Sequence, residues 1–376
     1  MSRDVFITGC GRFLPGAPIP NDAMEDHLGR IAGRPSLLGR RALRWNGIET
    51  RHYALDANGV GFDTNAGMSA KAVTAALDDA RLEARDLTFL ATATTQGDYL
   101  VPGHATAVHG ALGNQPMEIA SFQSVCGSSL MAAKAAFLNV KAGEHSVAAA
   151  SAGEFSSRWF RPSFYEGTAL VDAKGRARAE ADFLRFTLSD GAGAIVMEPA
   201  PKTDGLSLRV EFIDVVSLAG QFEPCMWAGA SVENRTDLSS GWATQGPVAA
   251  HAAGAIALLQ DFELLKRVIR AWVGVYLEKV DVKRIVPETV DWLLCHYSAQ
   301  SLREEIVSLL EKTDAMIPQQ KWFSNLPTVG NVGSASIWIM LEEFLRSGRL
   351  KRGEKVLCVV PESGRALVGF MMLEAV

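Results

Sequence analysis

Short apolar runs recur along this chain, each bracketed by stretches of helical period. Residues 88–94, 146–150, 290–295 and 355–360 are dominated by Val, Leu, Ala, Phe and Trp and lack period-two alternation. A strand wet on one face alternates; one that does not is covered on both faces. Residues 66–82, 130–141, 252–278 and 334–345 place apolar side chains three and four apart, as a helix packed along one side requires. Residues 4–9 read as a first strand, and 190–198 and 366–373 each as a turn leading into a strand. Strands alternating with helices predict an α/β fold in which helices cover both faces of the sheets.

The two halves repeat one plan, which is more informative than any single element. Helix 66–82 leads through Asp86-Leu87 to strand 88–94, then to Cys126, helix 130–141 and strand 146–150. Helix 252–278 leads to strand 290–295, then to Asn331, helix 334–345 and strand 355–360. Cys126 and Asn331 therefore hold matching places in two copies of helix–strand–loop–helix–strand. The chain reads as two duplicated α/β halves, residues 1–200 and 201–376, with helices layered around two sheets. Residues 154–185, rich in Arg, Phe, Trp and Pro, depart from the plan and read as an insertion or cap.

Composition narrows the function classes. Lys and Arg total 37 against 42 Asp and Glu, a net charge of -5. With no basic run and no zinc-type Cys/His spacing, nucleic acid is not expected as a partner. Five scattered cysteines (Cys10, Cys126, Cys225, Cys295 and Cys358) without CxxC spacing point to a reduced, cytoplasmic protein. No signal peptide is expected ahead of strand 4–9, and no apolar run is long enough for a membrane span. The spacing of His27, His52, His104, His109, His145 and His251 asks for no metal.

Three residues carry candidate chemistry. Cys126 stands in Ser124-Val125-Cys126-Gly127-Ser128-Ser129, where small residues deliver one thiol to the expected first turn of helix 130–141. Unpaired N–H groups and the helix dipole favour an anion there, which predicts a thiolate formed more easily than in an ordinary cysteine. Otherwise Cys126 is a small buried hydrophobe. His296 directly follows an apolar strand, so its ring emerges at the carboxyl end of a sheet, where α/β sites form. Asn331, in Gly330-Asn331-Val332-Gly333, has neighbours that allow tight turns at a helix start. Alone, each is an ordinary strand-end or turn residue. A two-fold relation between the halves brings Asn331 opposite Cys126, with His296 beside them. Glu154 is a candidate auxiliary base if it points into that cavity, and a solvated loop residue if it does not.

In this order the motifs resemble the β-ketoacyl-acyl-carrier-protein synthase III (FabH-like) branch of the thiolase superfamily, over nearly the whole chain. The resemblance is carried by Gly47-Ile48-Glu49-Thr50-Arg51-His52, Ala91-Thr92-Ala93-Thr94-Thr95, the Cys126 loop, Ser189-Asp190-Gly191-Ala192-Gly193-Ala194, His296 and Gly330-Asn331. It implies a thiolase-like fold of layered αβαβα architecture and a condensing acyltransferase. Cys126 would attack an acyl thioester and carry the acyl group. His296 and Asn331 would hydrogen-bond the thioester carbonyl of a malonyl-type donor and stabilise the enolate left by decarboxylation. The N–H groups of Cys126 and, by position, Gly364 would form the oxyanion hole. The resemblance also implies no cofactor beyond phosphopantetheine-linked substrates, and no metal. It implies acyl carrier protein or acyl-CoA as partners, and a homodimer with residues 106–114 near the interface. Lys266, Arg270 and Arg303 are the candidate basic residues for docking an acidic carrier protein; the bland reading is a solvated helix face.

The departures point away from the housekeeping enzymes. Arg41 and Trp45 stand where acyl-CoA-using members carry a Trp and an Arg, so a carrier-bound acyl group is at least as well indicated as CoA. Tyr297-Ser298-Ala299-Gln300 replaces a Gln-Ala-Asn run, and Pro361-Glu362-Ser363-Gly364-Arg365 replaces a glycine-richer tail. With Lys321-Trp322-Phe323-Ser324-Asn325-Leu326, these are similar to specialised-metabolism members, among them the dialkylresorcinol-forming ketosynthases, which join two acyl chains. The second cysteine of degradative thiolases and the Gly-Phe-Gly-Pro-Gly tail of type III polyketide synthases are absent. The alternatives are a thioester hydrolase using Cys126 and a non-catalytic or partner-dependent subunit that binds carrier protein. Retention of Cys126, His296 and Asn331 together weighs against the latter. The extender, malonyl or β-ketoacyl thioester, is left open. The acyl chain length depends on how Phe122, Phe155, Trp159, Phe160, Phe164, Phe222 and Trp227 pack.

Overall fold

Ten strands form one hydrogen-bonded ladder in a computed structural model that describes residues 3–113 and 115–376. The stretches expected as strands supply seven, and Glu118–Gln123, Leu208–Ser217 and Trp322–Phe323 are strands that the sequence pattern does not predict. In chain order they are β1 (Phe6–Phe13), β2 (Phe89–Thr94), β3 (Glu118–Gln123), β4 (Ala148–Glu154), β5 (Gly191–Glu198), β6 (Leu208–Ser217), β7 (Trp292–Cys295), β8 (Trp322–Phe323), β9 (Lys355–Glu362) and β10 (Leu367–Ala375). Their order across the sheet is β8-β7-β9-β10-β6-β1-β5-β4-β2-β3. Read inward from either end, the order is the same plan offset by five. Directions repeat too: β2 runs parallel to β3 and β4 as β7 does to β8 and β9, and the remaining pairings are antiparallel. The sequence predicts two separate sheets. The structure instead joins the two five-stranded arms through a short antiparallel contact of β1 with β6, Phe6 opposite Arg209 and Ile7 opposite Leu208.

The missing alternation now has its explanation, because β2, β4, β7 and β9 each face a core on both sides. In β2, Phe89, Ala91 and Ala93 belong to a central core while Leu90 belongs to an outer one. In β9, Val356, Cys358 and Val360 face the centre and Leu357 the opposite outer layer. Helices α3 (Ser128–Ala142) and α6 (Ser336–Arg346) fill the central layer. Helices α1 (Asn65–Ala80) and α2 (His104–Leu112) cover one arm from outside, and α4 (Phe262–Asp281) and α5 (Gln300–Leu310) cover the other. This is the layered αβαβα arrangement of the thiolase-like fold.

Two predicted elements differ. Helix 252–278 is interrupted: Gly254, at φ 73°, turns the chain out of a short helix Pro247–Ala252, and the strand Leu259–Gln260 then pairs with Met226–Trp227. Helix α4 starts afresh at Asp261, whose carboxylate accepts the Leu264 N–H at 2.9 Å. Strand 146–150 runs on to Glu154, so that residue ends a strand instead of opening a loop. Beyond it, residues 155–185 form short helical turns and the helix Ala179–Arg185, tied back by Ser157 to Asp190 and by Arg185 to the Gly29 carbonyl. Among the described residues no helix is long and apolar enough to cross a membrane.

Helix α1 lies so close to its arm that only glycine fits beneath it. A Cβ on Gly9 would sit 2.0 Å from the Ala76 carbonyl oxygen, and one on Gly11 2.3 Å from that of Ala72. Gly11→Ala therefore costs about 1–3 kcal/mol through overpacking. Gly274, inside α4 with open space around it, gives the opposite sign: Gly274→Ala stabilises by roughly 0.5–1 kcal/mol. Urea denaturation of both variants checks the pair.

Candidate active site

Small residues before α3 let the chain approach the opposite arm. Cys126 lies two residues before α3, with Gly127 at the N-cap, and is 7% exposed. The N–H groups on either side of it are already satisfied: Val125 and Gly127 donate to Oε2 of Glu362 at 3.1 and 2.8 Å. Burial raises the Cys126 thiol well above its ordinary pKa, and the carboxylates of Glu362 and Glu154 raise it further. The easily formed thiolate predicted from the helix start is thus corrected. The donors that would stabilise it hold a carboxylate, and the charges acting on the sulfur are negative. Cys126 is held as a thiol.

His296 stands at the carboxyl end of β7. Its backbone N–H donates to the Val359 carbonyl at 2.9 Å, which continues the ladder to β9 and fixes the ring's root. The side chain is 3% exposed and its Nε2 is buried without a hydrogen-bond partner. Burial lowers its pKa to about 4, so the ring is neutral at physiological pH and carries one N–H. Asn331 precedes the turn Gly333–Ala335 that opens α6. Its carbonyl accepts the Ser189 N–H at 2.8 Å, and its Oδ1 accepts the Gly333 N–H at 2.9 Å. With the oxygen so engaged, the amide nitrogen is the group left to donate elsewhere.

The fold brings these three residues together: Cys126, His296 and Asn331 line one narrow cavity of about 40 Å³, with Trp45, Tyr297 and Ser363 along its walls. Gly364 lies at its edge, close enough that a Cβ there would meet Val125 at 2.9 Å. Its carbonyl accepts from Cys225 and Met226, while the Cys126 N–H bears on its own sulfur. Trp45 packs edge-on to Phe183, whereas Arg40, Arg41 and Arg44 are exposed on the same helix, Gly39–Asn46.

Two further cavities adjoin this one. The first, about 240 Å³, shares Val125, Leu188 and Met226 with it and is walled by Phe155, Trp159 and Trp227. Of the aromatic residues expected to set chain length, these three are the ones that line it. Glu154 also lines it, so it is no solvated loop residue. It accepts hydrogen bonds from the N–H and hydroxyl groups of both Thr95 and Ser334, and burial raises its pKa to about 7. The second cavity shares Trp272, Ile306 and Pro361 and is enclosed almost wholly by apolar side chains, among them Val273, Leu310 and Phe370.

Two of the three docking candidates share a groove. Lys266 and Arg270 are exposed on α4 and line a surface groove with Arg267 and Phe222, and Lys266 pairs with Glu263 at 2.9 Å. Arg303, on α5, lies over the Trp322 ring and bonds to Gln319 instead. Residues 106–113 fall in and just after α2, and Asn114 lies outside the described residues. Among the described residues no group of three or more His, Cys, Asp and Glu could hold a metal ion.

Glu362 is the site residue that the sequence does not single out. Its signal is there, an acid in the tail where a glycine-richer loop is the family pattern, but nothing in the sequence shows that this strand end meets Cys126.

Comparison with known proteins fits this geometry. Residues 280–371 match the family model of the C-terminal part of 3-oxoacyl-[acyl-carrier-protein] synthase III. The chain is 24% identical over 352 residues to the β-ketoacyl-[acyl-carrier-protein] synthase III of Rhodospirillum rubrum, covering 93% of each chain. Among solved structures it is similar to AbyA1, a tetronic acid condensing enzyme, with a TM-score of 0.77 and 22% identity over 98% of this chain and 99% of that one. It is similar also to a cysteine-to-serine variant of Xanthomonas campestris OleA with bound lauric acid and lauroyl-CoA, with a TM-score of 0.72 and 19% identity over 100% of both. The C-terminal match places residues 280–371 within the 3-oxoacyl-acyl-carrier-protein synthase III pattern, and over nearly its whole length the chain is similar to FabH-like condensing enzymes and shares their thiolase-like fold.

Proposed function

We propose that the chain catalyses a Claisen condensation of an acyl group carried on Cys126 with a malonyl-ACP or β-ketoacyl thioester, giving a β-ketoacyl product. One observation carries this reading: a buried thiol, a neutral imidazole with an unpartnered Nε2 and an amide with a spare donor share a single cavity.

In acylation, Cys126 Sγ attacks the thioester carbonyl. The C–S bond to the carrier breaks, and the cysteine's proton leaves with the carrier thiol. The N–H groups of Cys126 and Gly364 stabilise the oxyanion. In condensation, His296 Nε2–H and the Asn331 amide donate to the carbonyl oxygen of the second thioester. They hold the negative charge that builds there as carbon dioxide leaves a malonyl donor, or as a β-ketoacyl donor gives up a proton to a base, for which Glu154 is the candidate. The enolate carbon attacks the acyl-Cys126 carbonyl, the Cys126 C–S bond breaks, and the sulfur recovers a proton. The chemistry needs no cofactor beyond the phosphopantetheine arm of the substrates.

Two cavities adjoining the site, one almost wholly apolar and one walled by Phe155, Trp159 and Trp227, support the specialised reading, in which both partners carry alkyl chains, as in the dialkylresorcinol-forming ketosynthases. Acyl carrier protein or acyl-CoA delivers the substrates, and the groove of Lys266 and Arg270 suits an acidic carrier. Five free cysteines support a reducing compartment, the cytoplasm. A homodimer is supported by β3, whose outer edge is unpaired at the end of the ladder. Beside it, the loop residues Tyr99, Leu100 and Val101 are 62%, 72% and 83% exposed.

Incubation with acyl-CoA and acyl-carrier-protein thioesters is expected to add one acyl mass to the intact protein, and none to Cys126→Ala. His296→Ala and Asn331→Ala should still acquire the acyl group but condense on the order of 10²–10³ more slowly. Uptake that survives Cys126→Ala, or acylated protein that only hydrolyses, would sink the condensing reading. In sedimentation, the native protein should run at twice the monomer mass, and Leu100→Glu should shift it toward monomer.

A further inference from the structure

Glu362 has no part in the chemistry above, yet it lies against the nucleophile's own loop. It is the last residue of β9, 2% exposed, and reaches across the boundary between the arms to residues 124–127. Its Oε2 accepts from Val125 and Gly127, and its Oε1 accepts the Ser124 hydroxyl at 2.5 Å. Successive backbone N–H groups converging on one negative charge form a nest, a cradle for anions. Here the anion comes from the chain itself, from a residue 235 positions away. The N–H between the two, that of Cys126, is not taken by Glu362.

Burial raises the Glu362 carboxyl above its ordinary pKa, and the hydrogen bonds from Ser124, Gly127 and Val125 act the other way, in favour of the charged form. Glu154, from the end of β4, is a second carboxylate acting on Cys126, and His296, from the end of β7, is neutral. Arg365, three residues beyond Glu362, donates to the Phe222 carbonyl. The loop contributes only Cys126 itself.

The geometry points to Glu362 as the positioning residue of the nucleophile: it fills the cradle, fixes the Cys126 loop for the substrate carbonyl, and sets a carboxylate against the loop that carries the sulfur.

Wild type, Glu362→Gln and Glu362→Ala test this, each checked for fold by circular dichroism. Gln keeps an acceptor oxygen but removes the charge; Ala empties the cradle. The first readout is alkylation of Cys126 by iodoacetamide against pH, scored by intact mass with Cys126→Ala as blank. It needs no substrate, so it stands apart from the condensing reading. Glu362→Gln should lower the alkylation midpoint by about one pH unit, roughly tenfold faster labelling below it. The second readout, acyl transfer, rests on the proposed function. Glu362→Ala should lose on the order of 10²-fold in the acylation rate constant, with KM little changed, and Glu362→Gln should recover most of that loss. An unchanged midpoint in Glu362→Gln, or full-rate acylation by Glu362→Ala, overturns the assignment. If Glu362→Ala does not fold, the Glu362→Gln midpoint decides alone. Failure of wild type to take up any acyl group would instead overturn the condensing reading.

Discussion

Everything at this site depends on two helices buried end-on between two arms of one ladder. The first turns of α3 and α6 are buried in the central core, so they cannot turn to water for the hydrogen bonds that helix starts lack. The arms provide them instead. Glu154, ending β4, accepts from Ser334 at the start of α6, and Glu362, ending the matching strand β9, accepts from the loop before α3. Each arm's strand thus anchors the helix start of the other half. Cys126 and Asn331 face a common cavity because both helix starts are pinned to the same boundary.

Much of this was legible in the residues. Strands covered on both faces cannot alternate, and that absence of alternation marked β2, β4, β7 and β9. The repeated order put Cys126 and Asn331 in matching places, and His296 followed a strand that ends where sites form. What the sequence could not show is which groups converge from afar. The prediction of an easily formed thiolate assumed free N–H groups before α3. The carboxylate that takes them lies 235 positions later in the chain. Glu154 was ambiguous for a related reason: its strand runs four residues further than its apolar stretch, through Ser151, Ala152 and Gly153. The split of helix 252–278 was hidden because apolar spacing continues across Gly254 and Asp261, where only backbone conformation and a cap end one element and begin another.

The buried state of the nucleophile also bears on how this protein ages. Oxidants such as peroxide react with thiolate, not thiol, on the path to sulfenic and then irreversible sulfinic acid. A cysteine flanked by two carboxylates and sealed from water presents little thiolate between turnovers. The same surroundings that make Cys126 wait for its substrate therefore shield it from oxidative loss while it waits.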